Sequence, residues 1–301
     1  MKKIISIILC LIFVTFSFTG CFSLIGGYAT ERRGPAMWIV EDRDGNRCYL
    51  FATNHTGKAS DEFPLADVIE DAYSFCDYLA VECDYTSEGE TIPSGDGTSI
   101  LEHISETVYN AAVASIKRHN GDYNGEYDYE SVAFWYGLLD SFVTKDCGFD
   151  SAYGTDIYFI NKAKNDNKTI YEVEGFEYQT ELSQRVSDKV YENFIISMLN
   201  NRSSSGMEYY NDLYRSGDMA TLEYTLNSGR NAKVTDAALA EQLKAYFDMM
   251  YTERNARMAD ALYAYLTGGK RVFFAVGASH VVGDDGIVKL LKAKGCRVYR
   301  K

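Results

Sequence analysis

The chain has 301 residues, a formal net charge of −13, and 14% aromatic residues against only three prolines. An acidic chain without a basic stripe argues against a nucleic-acid binder and against electrostatic adhesion to anionic lipid. The aromatic content indicates a packed body, at the upper end of length for one domain, rather than a disordered chain.

Taken from the N-terminus, Lys2 and Lys3 precede an apolar run from Ile4 to Phe18, followed by Gly20 and Cys21. This is the charged, apolar and small-residue order of a secretory signal, predicted over residues 1–20 and too short for a comfortable membrane span. Phe18-Thr19-Gly20-Cys21 resembles a bacterial lipobox, which makes Cys21 the expected lipidated first residue and 21–36 a tether. An ordinary signal cut nearby is the alternative. Either reading exports the protein, and the first anchors it on the extracytoplasmic side of the cell membrane through lipid alone. Of the remaining cysteines, Cys48, Cys76, Cys83, Cys147 and Cys296 form no CxxC pair and no metal-ligand cluster. Cys48, Cys76 and Cys83 lie in apolar segments, where buried free thiols are expected.

The domain proper is expected over 37–301. Met37–Val40 and Cys48–Ala52 read as two strands of a hairpin around Asp44-Gly45, whose glycine accepts the positive φ of a tight turn. Pro64 suits a first helical turn, and Leu65, Val68, Ile69 and Ala72 recur at helical spacing before the strand YLAVE, 78–82. A helical insertion is expected over about 98–150, with helices at 100–118 and 130–145. A helix from Thr155 to Ala163 and the strand KTIYEVE, 168–174, follow. A long helical region at 176–266, broken near Ser203–Gly206, Ser216-Gly217 and Ser228-Gly229, leads to a strand at 271–276. A helix at 284–294 and a strand over Arg297–Arg300 close the chain. Strand–helix–strand order of this kind implies an α/β fold with a mostly parallel central sheet flanked by helices, the helical insertion separating two strand-rich halves.

Four of these strands finish in a polar residue: His55, Glu82, Glu174 and His280. In a parallel α/β sheet, such residues collect beyond the C-terminal strand ends. Imidazoles with carboxylates suit a divalent ion such as manganese, zinc, cobalt or iron. Taken singly, a carboxylate after a strand commonly caps the next helix. The joint pattern is the stronger signal, because the chain has only four histidines and two of them occupy equivalent places. His103 and His119, in polar helical surroundings, read as solvated surface residues.

The motifs resemble those of the TraB/PrgY/GumN family, related to the Tiki proteases, which is marked by two Gly-x-x-His motifs. Gly277-Ala278-Ser279-His280 matches the second; Ala52-Thr53-Asn54-His55 matches the first except that alanine replaces glycine. Glu82 and Asp84 resemble the family's Glu-x-Asp, Gly154 and Asp156 its Gly-x-Asp, and Glu174, Glu177 and Gln179 its glutamate-ending strand. Arg254, Asn255 and Met258 resemble its Arg-Asn-x-x-Met helix. The resemblance covers about residues 37–300 with the motifs in order. It implies an α/β fold with a helical insertion, and relatives that include metal-dependent peptidases.

Two functions are consistent with these residues. One is a metal-dependent hydrolase of the peptidase class. His55, His280 and one or both of Glu82 and Glu174 would hold the ion, and the carboxylate not bound would take a proton. Arg254 would pair with a carboxylate or stabilise an oxyanion, although a surface salt bridge fits its helix position equally. Asn255 would orient a ligand. Asp156 reads first as a helix N-cap. The other function is a non-catalytic lipoprotein that grips a peptide or metal. A serine hydrolase fits less well, since no GxSxG elbow occurs.

Overall fold

The structure, a computed structural model, describes residues 34–87, 95–200, 204–231 and 233–301. The expected signal segment, Cys21 and most of the tether lie outside these residues. Six strands form one sheet in the order β4-β3-β5-β2-β1-β6: β1 Met37–Glu41, β2 Arg47–Thr53, β3 Tyr78–Val81, β4 Thr169–Glu172, β5 Val272–Gly277 and β6 Arg297–Arg300. The strands β4, β3, β5 and β2 are mutually parallel, and β1 runs antiparallel to both β2 and β6. The β1–β2 hairpin closes as its residues require. Gly45 has φ 85°, and the Asp42 carboxylate accepts from the backbone of Asn46 at 2.9 Å and from its side chain at 2.7 Å.

The first strand–helix–strand unit skips a place. Helix α1, Asp67–Phe75, connects β2 to β3, and the gap between those strands is later filled by β5. Pro64 sits before the helix, in the approach loop, and not in its first turn. The central position of β5 explains its unbroken apolar sequence, because neighbours cover both edges and helices cover both faces. Alternate side chains serve opposite layers. Phe273 and Ala275 pack with residues of α1 and of α4, Thr155–Asn165. Val272, Phe274 and Val276 pack on the other side against two later helices, Arg254–Thr267 and Ile287–Ala293.

Between β3 and β4 run α2, Glu106–Asn120, and α3, Val132–Asp146, as well as α4. Between β4 and β5 run α5 Gly175–Arg185, α6 Asp188–Asn200, α7 Ser204–Ser216, α8 Met219–Arg230, α9 Ala237–Phe247 and α10 Arg254–Thr267. The expected insertion is therefore not alone in forming the helical body. Ile104, Trp135 and Leu139 share a core with Ile195 from α6 and Tyr246 from α9. A π-helical turn, Asp248–Glu253, joins α9 to α10, and such turns are common at functional sites. A single short turn, α11 Ala278–Val281, and α12 Ile287–Ala293 follow β5. Among the described residues no helix is long and apolar enough to cross a membrane. Among the described residues the five cysteines, Cys48, Cys76, Cys83, Cys147 and Cys296, are buried and free.

Phe274 is fully buried under α10. Phe274→Ala is expected to lower unfolding free energy by about 3–5 kcal/mol, read from urea denaturation. A loss below about 1 kcal/mol would place this ring outside the core.

Candidate active site at the strand ends

Parallel pairing sends the ends of β2, β3, β4 and β5 to one edge, and the side chains beyond them meet there. The ladder between β3 and β4 continues past the strands, with Val173 N–H on Val81 O at 2.9 Å and Glu174 N–H on Glu82 O at 3.0 Å. This places the two glutamates side by side. Arg254, the first residue of α10, reaches between them. Its Nε donates to Glu174 Oε1 at 2.8 Å, and its Nη2 donates at 2.7 Å both to Glu174 Oε2 and to Glu82 Oε2. The guanidinium is 1% exposed, so it is not the surface salt bridge that its helix position also allowed. Burial opposes its charge, but Glu174 and Glu82 outweigh that and hold it firmly protonated. Gln179 Nε2 adds a bond to Glu174 Oε2 at 3.1 Å, and Gly277 N–H donates to Glu82 Oε1 at 2.7 Å.

Each histidine is held through Nδ1. Beyond β2, His55 Nδ1 meets Asp156 Oδ2 at 2.5 Å. Asp156 arrives there because Asn54 and Thr155 exchange bonds, Thr155 N–H to Asn54 O at 2.9 Å and Asn54 N–H to Thr155 Oγ1 at 3.0 Å. Gly154 makes the close approach feasible, since a Cβ there would lie 2.6 Å from His55 O. Asp156 is therefore not the cap: Gly154 occupies the N-cap position of α4, and no side chain caps it. Beyond β5, His280 Nδ1 meets Asn255 Oδ1 at 2.6 Å, and Asn255 Nδ2 donates to Asp285 O at 3.0 Å. Tyr85 stands edge-on to His55 with centroids 5.5 Å apart, and Tyr251 of the π-helical turn lies over His280, also at 5.5 Å.

The two rings differ in charge. Burial pulls His55 toward neutrality, but Asp156, with Glu82 nearby, overrides it and lifts the pKa to about 9. His280 is pushed well below its ordinary value by burial and then by the Arg254 charge. Their Nε2 atoms are both buried and without a hydrogen-bond partner. Gly277 sits between them: a Cβ on it would lie 3.3 Å from Glu82 Oε1, 3.4 Å from His55 Nε2 and 3.5 Å from His280 Cδ2. The alanine at the matching place in the first motif is harmless, because Ala52 faces the α10 layer and packs in that core.

The fold thus gathers His55, Glu82, Glu174, Arg254, Asn255 and His280. Sequence reading missed Asp156 as the partner of His55, and Tyr85 and Tyr251 as walls. Only the motif spacing of Gly154 with Asp156 offered a signal. A metal ion would meet two nitrogen donors oriented from behind, the usual posture of ligating histidines. Glu82 Oε2 lies 4.0 Å from His280 Nε2. Among the described residues no group of three His, Cys, Asp or Glu side chains stands ready to hold a metal. Here both glutamates are turned to Arg254. The remaining histidines are half-buried and not freely solvated. His103 Nδ1 meets Asp188 at 2.7 Å, and His119 Nε2 meets Asp146 at 2.9 Å.

Removing the guanidinium leaves two buried carboxylates facing each other. Arg254→Met is expected to cost about 3–5 kcal/mol in urea unfolding, and adding Glu174→Gln to restore part of it. Full additivity of the two changes would show that they do not interact. The protonated His55–Asp156 pair has a folded pKa above the unfolded one. Its stabilisation is therefore complete below about pH 6.5 and is lost as pH rises through about 9. Thermal unfolding of metal-free protein across that window is expected to fall, and to fall less in Asp156→Asn. Parallel pH profiles for the two proteins would refute the pairing.

A sequence profile of the TraB/PrgY/gumN family matches residues 36–300. Neither the curated proteins nor the solved structures gave a match. With the family's strand-end residues brought to one sheet edge, and with nearly the whole chain matched, the protein belongs to the TraB/PrgY/gumN family.

Proposed function

We propose that the chain is a metal-dependent hydrolase of peptide bonds, exported and held at the membrane by lipid on Cys21. The observation that carries this reading is the pair of buried Nε2 atoms without partners, each backed by a bonded Nδ1, beside Glu82. His55 and His280 would hold the ion, with Glu82 as the adjacent carboxylate. When bound, manganese, cobalt, zinc or iron supplies an acidified water and polarises the scissile carbonyl.

The protein's own groups do the rest. Glu82 accepts a proton at Oε2, which it otherwise shares with Arg254, while Gly277 N–H fixes its other oxygen. Glu174 and Gln179 hold the guanidinium where developing negative charge would meet it. Asn255 and Asp156 fix the ring orientations, and Tyr85 and Tyr251 keep water off the ring faces.

One observation favours the alternative of a non-catalytic grip. Both glutamates are engaged by Arg254, which leaves neither carboxylate free. Purified protein incubated with a peptide library, with and without manganese or cobalt, separates the readings. Turnover that needs metal and disappears in His280→Ala supports hydrolysis; stoichiometric capture of intact peptide would sink it. Gly277→Ala is a milder probe, since its methyl fills the space between His55 Nε2 and Glu82. It is expected to keep the fold but lower metal content by about tenfold or more, in the range seen for perturbed metal sites. Elemental analysis giving equal metal in Gly277→Ala and wild type would remove that space as the binding position.

A further inference from the structure

The chemistry above uses only the ring of Tyr85 and leaves its hydroxyl without a part. Tyr85 follows β3, three residues beyond Glu82, and its ring stands edge-on to His55 with centroids 5.5 Å apart. The backbone beneath it is fastened on both sides. Tyr85 N–H bonds Cys83 O at 3.1 Å, Asp84 N–H bonds Glu172 Oε1 at 2.7 Å, and the Asp84 carboxylate meets Lys164 Nζ of α4 at 2.7 Å. Support of this kind holds a side chain in one place. His55, Glu82, Arg254 and His280 are buried, whereas Tyr85 keeps partial exposure and faces whatever enters from solvent.

The neighbours of the hydroxyl decide which way it bonds. Gln179 lies between Tyr85 and Glu174. The Glu174 carboxylate, paired with Arg254, can only accept, so the amide turns Nε2 toward it, at 3.1 Å. The second hydrogen on that nitrogen goes to the Tyr85 oxygen, also at 3.1 Å. Toward Gln179, then, Tyr85 is an acceptor. The Gln179 amide oxygen stands 3.3 Å from the phenol oxygen, which holds the phenolic proton only weakly. A good O–H···O bond is about 2.7–2.8 Å. Burial, with Glu82 and Asp156 nearby, raises the phenol well above its ordinary pKa, so the proton stays on. An N–H bonded to the oxygen polarises the hydroxyl further toward donation. From Tyr85 a chain of hydrogen bonds runs through Gln179, Glu174 and Arg254 to Glu82.

The geometry points to Tyr85 as a further catalytic residue, whose O–H donates a hydrogen bond to the oxyanion formed when a peptide carbonyl becomes tetrahedral. The proposal rests on the peptide-hydrolase reading for the reaction. Arg254 is already committed to two carboxylates, whereas the phenolic proton is loosely engaged. A neutral donor bonds an oxyanion more strongly than an uncharged carbonyl, so its contribution is greatest in the transition state. No proton is transferred. The phenol keeps its own, and the bond to the oxyanion forms and is lost as the tetrahedral centre forms and collapses.

The test compares full-length, manganese-loaded wild type with Tyr85→Phe, which keeps the ring against His55 and removes only the hydroxyl. Phosphinic analogues of the tightest-binding library peptide are made, one for each of its peptide bonds. A phosphinate imitates the tetrahedral anion and cannot be cut. Wild type is expected to bind one analogue about tenfold or more tighter than Tyr85→Phe does, the scale of a hydrogen bond to a charged group. Affinity for the parent peptide, read as KM where it is cut, and metal content are expected to change less than about twofold. Where peptides are cut, kcat is expected to fall by about a hundredfold, as for loss of one oxyanion donor. A hydroxyl needed only for packing would move metal content, KM or the urea midpoint and leave the phosphinate ratio near one. Equal phosphinate affinity in the two proteins, or a library from which no peptide binds, overturns the proposal. Phosphinate discrimination without cleavage of any peptide removes the hydrolase reading and leaves the Tyr85 donor standing. Cleavage with equal phosphinate binding does the reverse.

Discussion

A single buried guanidinium organises this molecule. Arg254 stands at the start of α10 and binds the carboxylates that follow β3 and β4, so one side chain ties a helix to two strands. Taking three charges out of water is costly, and each carboxylate remains affordable only while the guanidinium stays. The consequence is mutual: the strand ends cannot drift apart, and α10 cannot rotate, without exposing an unpaired charge to a dry interior. Asn255 is the next residue on the same helix, so the anchor that fixes the glutamates also fixes the partner of His280.

The sheet supplies the geometry that the arginine locks. Because β5 lies between β3 and β2, Glu82 and His55 flank the turn that carries His280, although they come from opposite sides of it. Gly277, at the exit of β5, is the point where these groups approach, and a side chain there would stand among them. Behind the first layer, Asp156 and Asn255 play matched parts from different helices. The Asp156 carboxylate raises the pKa of His55 against its burial, whereas burial and the Arg254 charge keep His280 low.

Much of this was legible from the sequence, for definite reasons. Apolar runs that stop at a histidine or glutamate mark strand ends, and parallel pairing does the gathering. The glycine at Asp44-Gly45 announced its turn, and the deeply buried β5 showed as unbroken apolar residues. What escaped has physical causes too. Asp156 looks like a helix cap because a carboxylate near a helix start usually is one. Its true partner lies 101 positions away and is met only through the Asn54–Thr155 exchange. Tyr85 and Tyr251 belong to a chain rich in tyrosine, so nothing in composition distinguished them. The sharing of one core between α3 and the later helices also had no local trace, since it joins segments on either side of β4.

Electroneutrality gives the cluster of Glu82, Glu174, Asp156 and Arg254 a meaning beyond its hydrogen bonds. Three carboxylates against one guanidinium leave the knot two negative charges in excess, in surroundings that screen them poorly. The proton on His55 offsets one of these, and a bound divalent ion would offset both. Acid and metal are then rivals for the same deficit. On the proposed function, loading the site would expel the His55 proton, so metal uptake would tighten by one proton per ion as pH rises toward about 9.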